Sequence, residues 1–164
     1  MKLSLEKITE TVLSGSRIEP EAGLFLFKAN EVFTLGRIAS IASERKNGRY
    51  VYYVRNRHIN PTNICVNRCK FCAFSRSKGE KGAFELTIDE ILKKLSEGGY
   101  REVHIVGGLH PEWSFDHYVR IVSKINETFP DIHIKAFTAV EIDHFSKISG
   151  LTIEDVLKKL KDSG

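Results

Sequence analysis

Apolar positions in the first fifty residues recur at helical spacing. Leu5, Ile8 and Val12 fall on one face of a predicted helix, and Val32, Leu35, Ile38 and Ala42 on one face of another. Pro20 suits a helix start, Asn30 the cap of the next helix and Gly48 its end. From Arg49 the pattern changes. Residues 50–54 are β-branched or aromatic throughout, which predicts an extended segment running on to Ile59. Further on, Thr87-Ile88-Asp89-Glu90 has the spacing of a capping box, and Ile88, Ile91, Leu92 and Leu95 form an apolar stripe stopped by Gly98-Gly99.

The same rhythm repeats. A strand over residues 102–106 leads through a Gly-rich turn to a helix whose inner face holds Phe115, Tyr118, Val119, Val122 and Ile125. A strand over residues 132–137 follows, then a short helix after Glu141 and a last helix with Ile153, Val156, Leu157 and Leu160 inward. Strands alternating with helices of this length predict right-handed βαβ units on a parallel sheet, so the expected class is α/β. Residues 1–48 read as a helical segment and residues 49–164 as the first part of a (βα) barrel. About three strand–helix units are present, whereas closing a barrel takes eight units and typically about 250 residues. A sheet of three parallel strands leaves unpaired edges, so the expectation is a truncated domain; a compact three-unit domain, or one closed by dimerisation, is the alternative.

Composition narrows the class. With 41% hydrophobic and 28% charged residues in 164, the chain fits a soluble domain. It has no apolar run approaching the roughly 18 residues of a spanning helix. Its start lacks the apolar stretch of a signal peptide, so a cytoplasmic location without membrane attachment is expected. A net charge of +4 is too mild to argue for nucleic acid. The three cysteines, Cys65, Cys69 and Cys72, change the picture more, because they all fall in one short stretch. An odd, clustered set is a poor disulfide framework and a candidate metal site.

Cys65-Val66-Asn67-Arg68-Cys69-Lys70-Phe71-Cys72 directly follows a predicted strand. Three thiolates on one loop can hold three irons of a cubane cluster and leave the fourth iron free to chelate an amine and a carboxylate. A four-cysteine site would satisfy every iron and only carry electrons. The competing reading is zinc held by three cysteines and a histidine, His58 or His110, although zinc ligands usually come in paired short spacings from two segments. Seven basic residues (Arg55, Arg57, Arg68, Lys70, Arg76, Lys78, Lys81) surround the loop against the single acid Glu80. They either favour bound carboxylates or form a solvated face. Phe71 and Phe74 interleave with them, but the stretch is too short to favour single-stranded nucleic acid.

The cysteine spacing, with an aromatic before the last cysteine, resembles the radical S-adenosylmethionine superfamily. A narrower likeness spans nearly the whole chain. It rests on residues 56–63 before the cysteines, Gly107-Gly108-Leu109-His110-Pro111 after the second strand, and residues 135–142 after the third. Within the superfamily these resemble the aminofutalosine synthases, whose chains are much longer, and less closely the dehypoxanthinyl futalosine and tyrosine-using deazaflavin synthases. The resemblance implies a 4Fe-4S cluster on Cys65, Cys69 and Cys72, S-adenosyl-L-methionine as cofactor, a small-molecule substrate, and an electron donor such as flavodoxin or ferredoxin. It places Gly107 and Gly108 at the methionine end of that cofactor and Phe71 near its adenine. Alone, two glycines at a strand end also describe an ordinary turn. Glu141 has two readings: acceptor of ribose hydroxyls, or an acid stabilised in the first turn of a helix. His58, His110 and His144 are candidates for proton transfer or for contact with a substrate carboxylate, against the commoner structural role. Trp113 and the group Tyr50, Tyr52, Tyr53 are read as packing residues.

Overall fold

A computed structural model of the chain describes residues 3–164. The chain forms two compact units, the first ending at Tyr53 and the second spanning Val54–Gly164. The first unit holds helices α1 (Leu5–Leu13), α2 (Pro20–Lys28) and α3 (Val32–Asn47). Ser4 caps α1 by accepting from the Lys7 N–H, Pro20 opens α2, and Gly48 closes α3 at a φ of 64°. Asn30 does not cap α3; Glu31 occupies that position and makes no side-chain cap bond. The Arg45 guanidinium of α3 donates to the Val12 and Leu13 carbonyls at the end of α1, supplying the cation that a helix C-terminus favours.

In the second unit the order is β1 (Asn56–Ile59), α4 (Ile88–Leu95), β2 (Glu102–Ile105), α5 (Phe115–Thr128), β3 (His133–Ala136), α6 (Ala139–Ser149) and α7 (Ile153–Ser163). The three strands lie side by side in chain order, all parallel. The α/β class expected from the sequence is the class observed. The expected extended segment is shorter at its start, because residues 50–54 form no strand and Tyr50, Tyr52 and Tyr53 are exposed rather than packed. Pairing marks this limit: β2 begins opposite Asn56, and before it only the Arg55 carbonyl is engaged, by the Arg101 and Glu102 N–H groups. Helix α6 also starts earlier than expected, at Ala139, since Thr138 and Glu141 form a capping box.

One face of the sheet is covered by α4 and α5. Ile59, Val103 and Ile105 from the strands meet Ile91, Leu95, Ile121 and Ile125 in a buried cluster flanked by Ile134 and Ala136. A second cluster joins α5, α6 and α7 through Phe115, Tyr118, Val122, Ile142, Phe145, Val156 and Leu160. Ile121 is an inward position that the expected stripe omitted, while Ile153 and Leu157 remain half exposed. Only the edge of the α7 stripe carrying Val156 and Leu160 meets this cluster. Among the described residues no helix is long and apolar enough to cross a membrane.

Candidate functional site

The cysteines sit on the long loop that leaves β1 and returns to α4. Main-chain bonds pin its base: Leu86 N–H donates to the Pro61 carbonyl at 2.7 Å, Arg76 N–H to Asn63 at 2.9 Å, and Cys65 N–H to Arg76 at 3.0 Å. Side chains of the Asn60-Pro61-Thr62-Asn63 run complete the closure. Thr62, fully buried, donates from Oγ1 to the Phe84 carbonyl at 2.7 Å and accepts from the Ile64 N–H at 3.0 Å. Asn63 uses both ends of its amide, donating to the Gly82 carbonyl at 2.9 Å and accepting from the Phe84 N–H at 2.8 Å. Asn60 donates to the Val106 carbonyl at 2.6 Å. These buried polar groups are satisfied by one another, which is the condition for burying them at all.

The loop base also fits against the turn after β2. Gly108 N–H donates to the Thr62 carbonyl at 2.8 Å and Val66 N–H to the Leu109 carbonyl at 3.0 Å. A Cβ at Gly108 would lie 2.1 Å from the Ile64 carbonyl oxygen, and one at Gly107 would lie 3.1 Å from that of Thr62. In this structure the space left by the missing side chains is therefore filled by the backbone that leads into Cys65.

Beyond that base the tip is open. Cys69 is exposed, Cys65 and Cys72 are partly exposed, and none is in a disulfide. Arg68 adopts a φ of 43°, turning the chain between the first two cysteines. Cys72 N–H donates to the Cys69 carbonyl at 3.0 Å, and Asn67 Nδ2 donates to Cys69 Sγ at 3.3 Å. Backbone N–H groups of Ser75 and Phe74 hold the Cys72 thiol below its usual pKa. Three free thiols on an exposed tip, with N–H donors aimed at sulfur, suit a group that takes several thiolates at separate atoms. Among the described residues no three His, Cys, Asp or Glu side chains converge as a single metal ion would require. His110 Nδ1 accepts from the Glu112 N–H at 3.1 Å, while its buried Nε2 lies 2.8 Å from Glu85 Oε1 without forming a hydrogen bond.

Much of the basic charge near the loop is already paired. Arg68 and Arg76 meet Glu80, Lys78 meets Glu112, and Arg57 meets Glu97. Arg76 also donates to the Ala73 and Ser75 carbonyls at 2.9 and 2.8 Å, holding the tip from within. Phe71 projects from the tip, 93% exposed.

Glu141 is 3% exposed. Its Oε1 accepts from the Gly107 N–H at 2.9 Å, and its Oε2 accepts from Thr138 N–H and Oγ1 at 2.8 and 2.6 Å. Burial raises its pKa, opposed by those donors. The first-turn reading of Glu141 is thus realised in a specific form, a capping box with one oxygen left to fix the glycine turn. Tyr118 Oη accepts from the His110 N–H at 3.3 Å, and burial pushes the phenol up to about 12. His110, buried behind that turn, stacks on Trp113 with ring centroids 4.7 Å apart, so Trp113 packs as expected. His144 packs near Phe145 on α6, and burial lowers its pKa. His58 lies on β1 beside His104 of β2, two residues before Asn60 of the loop base.

The structure brings together the cysteine loop, Gly107, Gly108, Glu141 and His110 around the C-terminal end of β2. Sequence reasoning missed Thr62 and Asn63 as the closure, and Glu85 as the acid beside His110 Nε2. The first left one signal, two amide or hydroxyl residues beside a proline directly before the cysteines.

Comparison with known proteins is consistent with this geometry. The Radical SAM superfamily profile matches residues 59–164. Aminodeoxyfutalosine synthase of Thermus thermophilus is 41% identical over 160 residues, covering 96% of this chain and 43% of that protein. The 5-amino-6-(D-ribitylamino)uracil–L-tyrosine 4-hydroxyphenyl transferase of Methanopyrus kandleri is 34% identical over 166 residues, covering 99% of this chain and 45% of that protein. The chain therefore spans less than half the length of these curated relatives. The crystal structure of methylornithine synthase superposes with a TM-score of 0.61 at 17% identity, covering 96% of this chain and 56% of that one, a likeness of fold.

Proposed function

The chain belongs to the Radical SAM superfamily, and on that premise we propose that it is the N-terminal, cluster-binding part of an aminodeoxyfutalosine synthase of menaquinone biosynthesis. The observation that carries the cluster assignment is the loop itself: three free thiols on an exposed tip whose base is fastened to the end of β2. Cys65, Cys69 and Cys72 would hold a 4Fe-4S cluster. Bound there with S-adenosyl-L-methionine, the cluster would supply a 5′-deoxyadenosyl radical for addition to the enolpyruvyl double bond of 3-(1-carboxyvinyloxy)benzoate, giving aminodeoxyfutalosine with the carboxyl group leaving as carbon dioxide and one proton and one electron released, the electron available to the cluster again.

The residues of this chain supply position. Thr62 and Asn63 fix where the loop starts and returns, so the three thiols are presented from a rigid base. The Gly107–Gly108 turn borders that base, and its backbone is the surface offered to the methionine end of the cofactor. Glu141, with both oxygens accepting from Thr138 and Gly107, acts on the cofactor by holding this turn and not by a free carboxylate. Phe71 is exposed and able to cover the adenine. A flavodoxin- or ferredoxin-type protein is the electron donor this reading calls for.

The second reading is the tyrosine-using transferase, favoured by the 34% identity to the Methanopyrus protein over 99% of this chain. Adenine-labelled S-adenosyl-L-methionine, dithionite and the enolpyruvyl benzoate, incubated with the full-length protein containing residues 1–164, separate the two. Addition places the label in a product larger than the cofactor's nucleoside. Label recovered only as 5′-deoxyadenosine, with the enolpyruvyl group intact, rejects the synthase and leaves family membership untouched.

A further inference from the structure

The helices of the second unit cover one face of the sheet; the other face carries a different chemistry. Alternation along each strand sends Ile59, Val103, Ile105, Ile134 and Ala136 to the helices. It leaves Asn56 and His58, Glu102 and His104, and His133 and Lys135 on the opposite side. The register aligns these in two layers. His58 pairs with His104 and His104 with Lys135; below them Asn56 pairs with Glu102 and Glu102 with His133. The His58 and His104 rings lie 5.0 Å apart between centroids, confirming that they share a face.

Such a face is out of place in an ordinary core. Parallel strands covered on both sides are apolar nearly throughout, and barrel interiors are filled with branched side chains. Here the layer nearer the strand ends has three nitrogen donors and no acid. The only acid of the face, Glu102, contacts His104 Nε2 and so orients that ring. Lys135 is exposed and has no ion-pair partner among the described residues. Adjacent strands are about 4.8 Å apart, so the row spans roughly 10 Å, the length of a small aromatic acid.

We propose that the row His58, His104 and Lys135 is a binding floor for a carboxylate of the substrate. This rests on the reading of the chain as part of an enzyme acting on a small molecule, and it adds where the anion is held. Lys135 supplies the ammonium and His58 a ring N–H from the edge strand, with His104 between them, its ring held by the contact with Glu102.

The test uses the full-length, cluster-loaded protein, with binding measured by calorimetry in the absence of reductant. The probes are 3-(1-carboxyvinyloxy)benzoate and L-tyrosine, each with its methyl ester counterpart. Lys135→Met is expected to weaken binding of whichever acid the wild type takes by about ten-fold or more, the value of one hydrogen bond to a charged group. Binding of the ester and the cluster absorption should stay as in the wild type, and Lys135→Arg should restore most of the acid binding. Unchanged acid binding in Lys135→Met, equal losses for acid and ester, or a wild type that binds neither acid each overturns the inference. Lys135-dependent binding of tyrosine but not of the enolpyruvyl benzoate supports the floor and rejects the synthase assignment. Enolpyruvyl benzoate bound equally by wild type and Lys135→Met rejects the floor and leaves the synthase standing.

Discussion

Gly108→Ala isolates the contact on which the position of the cysteine loop depends. The added Cβ would sit 2.1 Å from the Ile64 carbonyl oxygen, 2.7 Å from its carbon and 3.0 Å from the Asn63 carbonyl carbon. All three are main-chain atoms, so no side chain can swing aside. Relief requires the loop base and the turn to separate by about an ångström. That separation breaks the Gly108 N–H bond to Thr62 and the Val66 N–H bond to Leu109. Overpacking costs about 1–3 kcal/mol, and each buried group left without a partner about 1–3 kcal/mol. Since Val66 is exposed, only the Gly108 N–H is a buried loss, and a net cost of about 2–6 kcal/mol is expected, or a fall in Tm of roughly 4–24 °C at the 2–4 °C per kcal/mol of a chain this size. Gly107→Ala is the internal comparison, because its Cβ meets the Thr62 carbonyl oxygen at 3.1 Å and Pro61 Cδ at 3.2 Å, contacts that a small shift relieves. Thermal and denaturant unfolding of residues 1–164 measures both variants, and iron uptake under anaerobic reconstitution reports the loop. Gly108→Ala within about 1 kcal/mol of wild type, or no worse than Gly107→Ala, would refute the claim that backbone packing dictates glycine here.

Alanine at Cys65, Cys69 or Cys72 should abolish the broad thiolate-to-iron absorption after anaerobic reconstitution while leaving Tm of the iron-free chain unchanged, since all three thiols lie outside the core; stoichiometric zinc with no iron uptake by the wild type would contradict the cluster. Asn63→Ala strips the partners from the Gly82 carbonyl and the Phe84 N–H and should cost about 2–4 kcal/mol by denaturant unfolding, with a faster loss of iron to a chelator. Stability should also depend on pH. His110, His117 and His144 have pKa values lowered from 6.5 by burial, so the unfolded chain binds their protons more readily. Their contribution is full above about pH 6.5 and is lost as pH falls through the depressed folded values. Glu141, raised by burial, has the opposite sign, gaining stability as pH falls through its folded value towards the ordinary carboxylate range. Three groups against one make the unfolding free energy decline between about pH 7 and 5, and a flat or rising profile there would show that these rings are not desolvated.

Helices α4 to α7 were legible from their apolar stripes, and α4 also from its capping box at Thr87; Thr138 and Thr152 cap α6 and α7 in the same way, while Ser114 before α5 makes no side-chain cap bond. The strands were legible in position but not in length. Residues 50–54 have strong β propensity and yet form no strand, since propensity cannot supply a neighbour to pair with. The cysteines were readable from spacing alone. The groups that hold them were not, because Thr62 and Asn63 meet Phe84 and Gly82 about twenty positions away. Glu141 was half readable. Its place in a first turn follows from local spacing, but its bond to Gly107 crosses from α6 to the turn after β2 and exists only once the strands are in register.

The uncovered sheet face carries the strongest signal that the sequence held and periodicity alone left unread. Strand alternation was treated as evidence for strands, but in a parallel βα arrangement it says something more. Helices cover one face of such a sheet, and if the other were also to be buried against apolar groups, its residues would be apolar. His58, Glu102, His104, His133 and Lys135 break that rule on three successive strands. Burying even one of these charges without a partner costs several kcal/mol, far more than the roughly 1 kcal/mol range of β propensity could offset. Whatever element covers this face must therefore leave water or a polar ligand against it. The cysteine loop is fastened at the C-terminal end of β2, the same end towards which the row of His58, His104 and Lys135 is displaced. A hydrated floor beside a thiol-bearing rim is the arrangement a small anionic substrate needs to meet chemistry supplied from the loop.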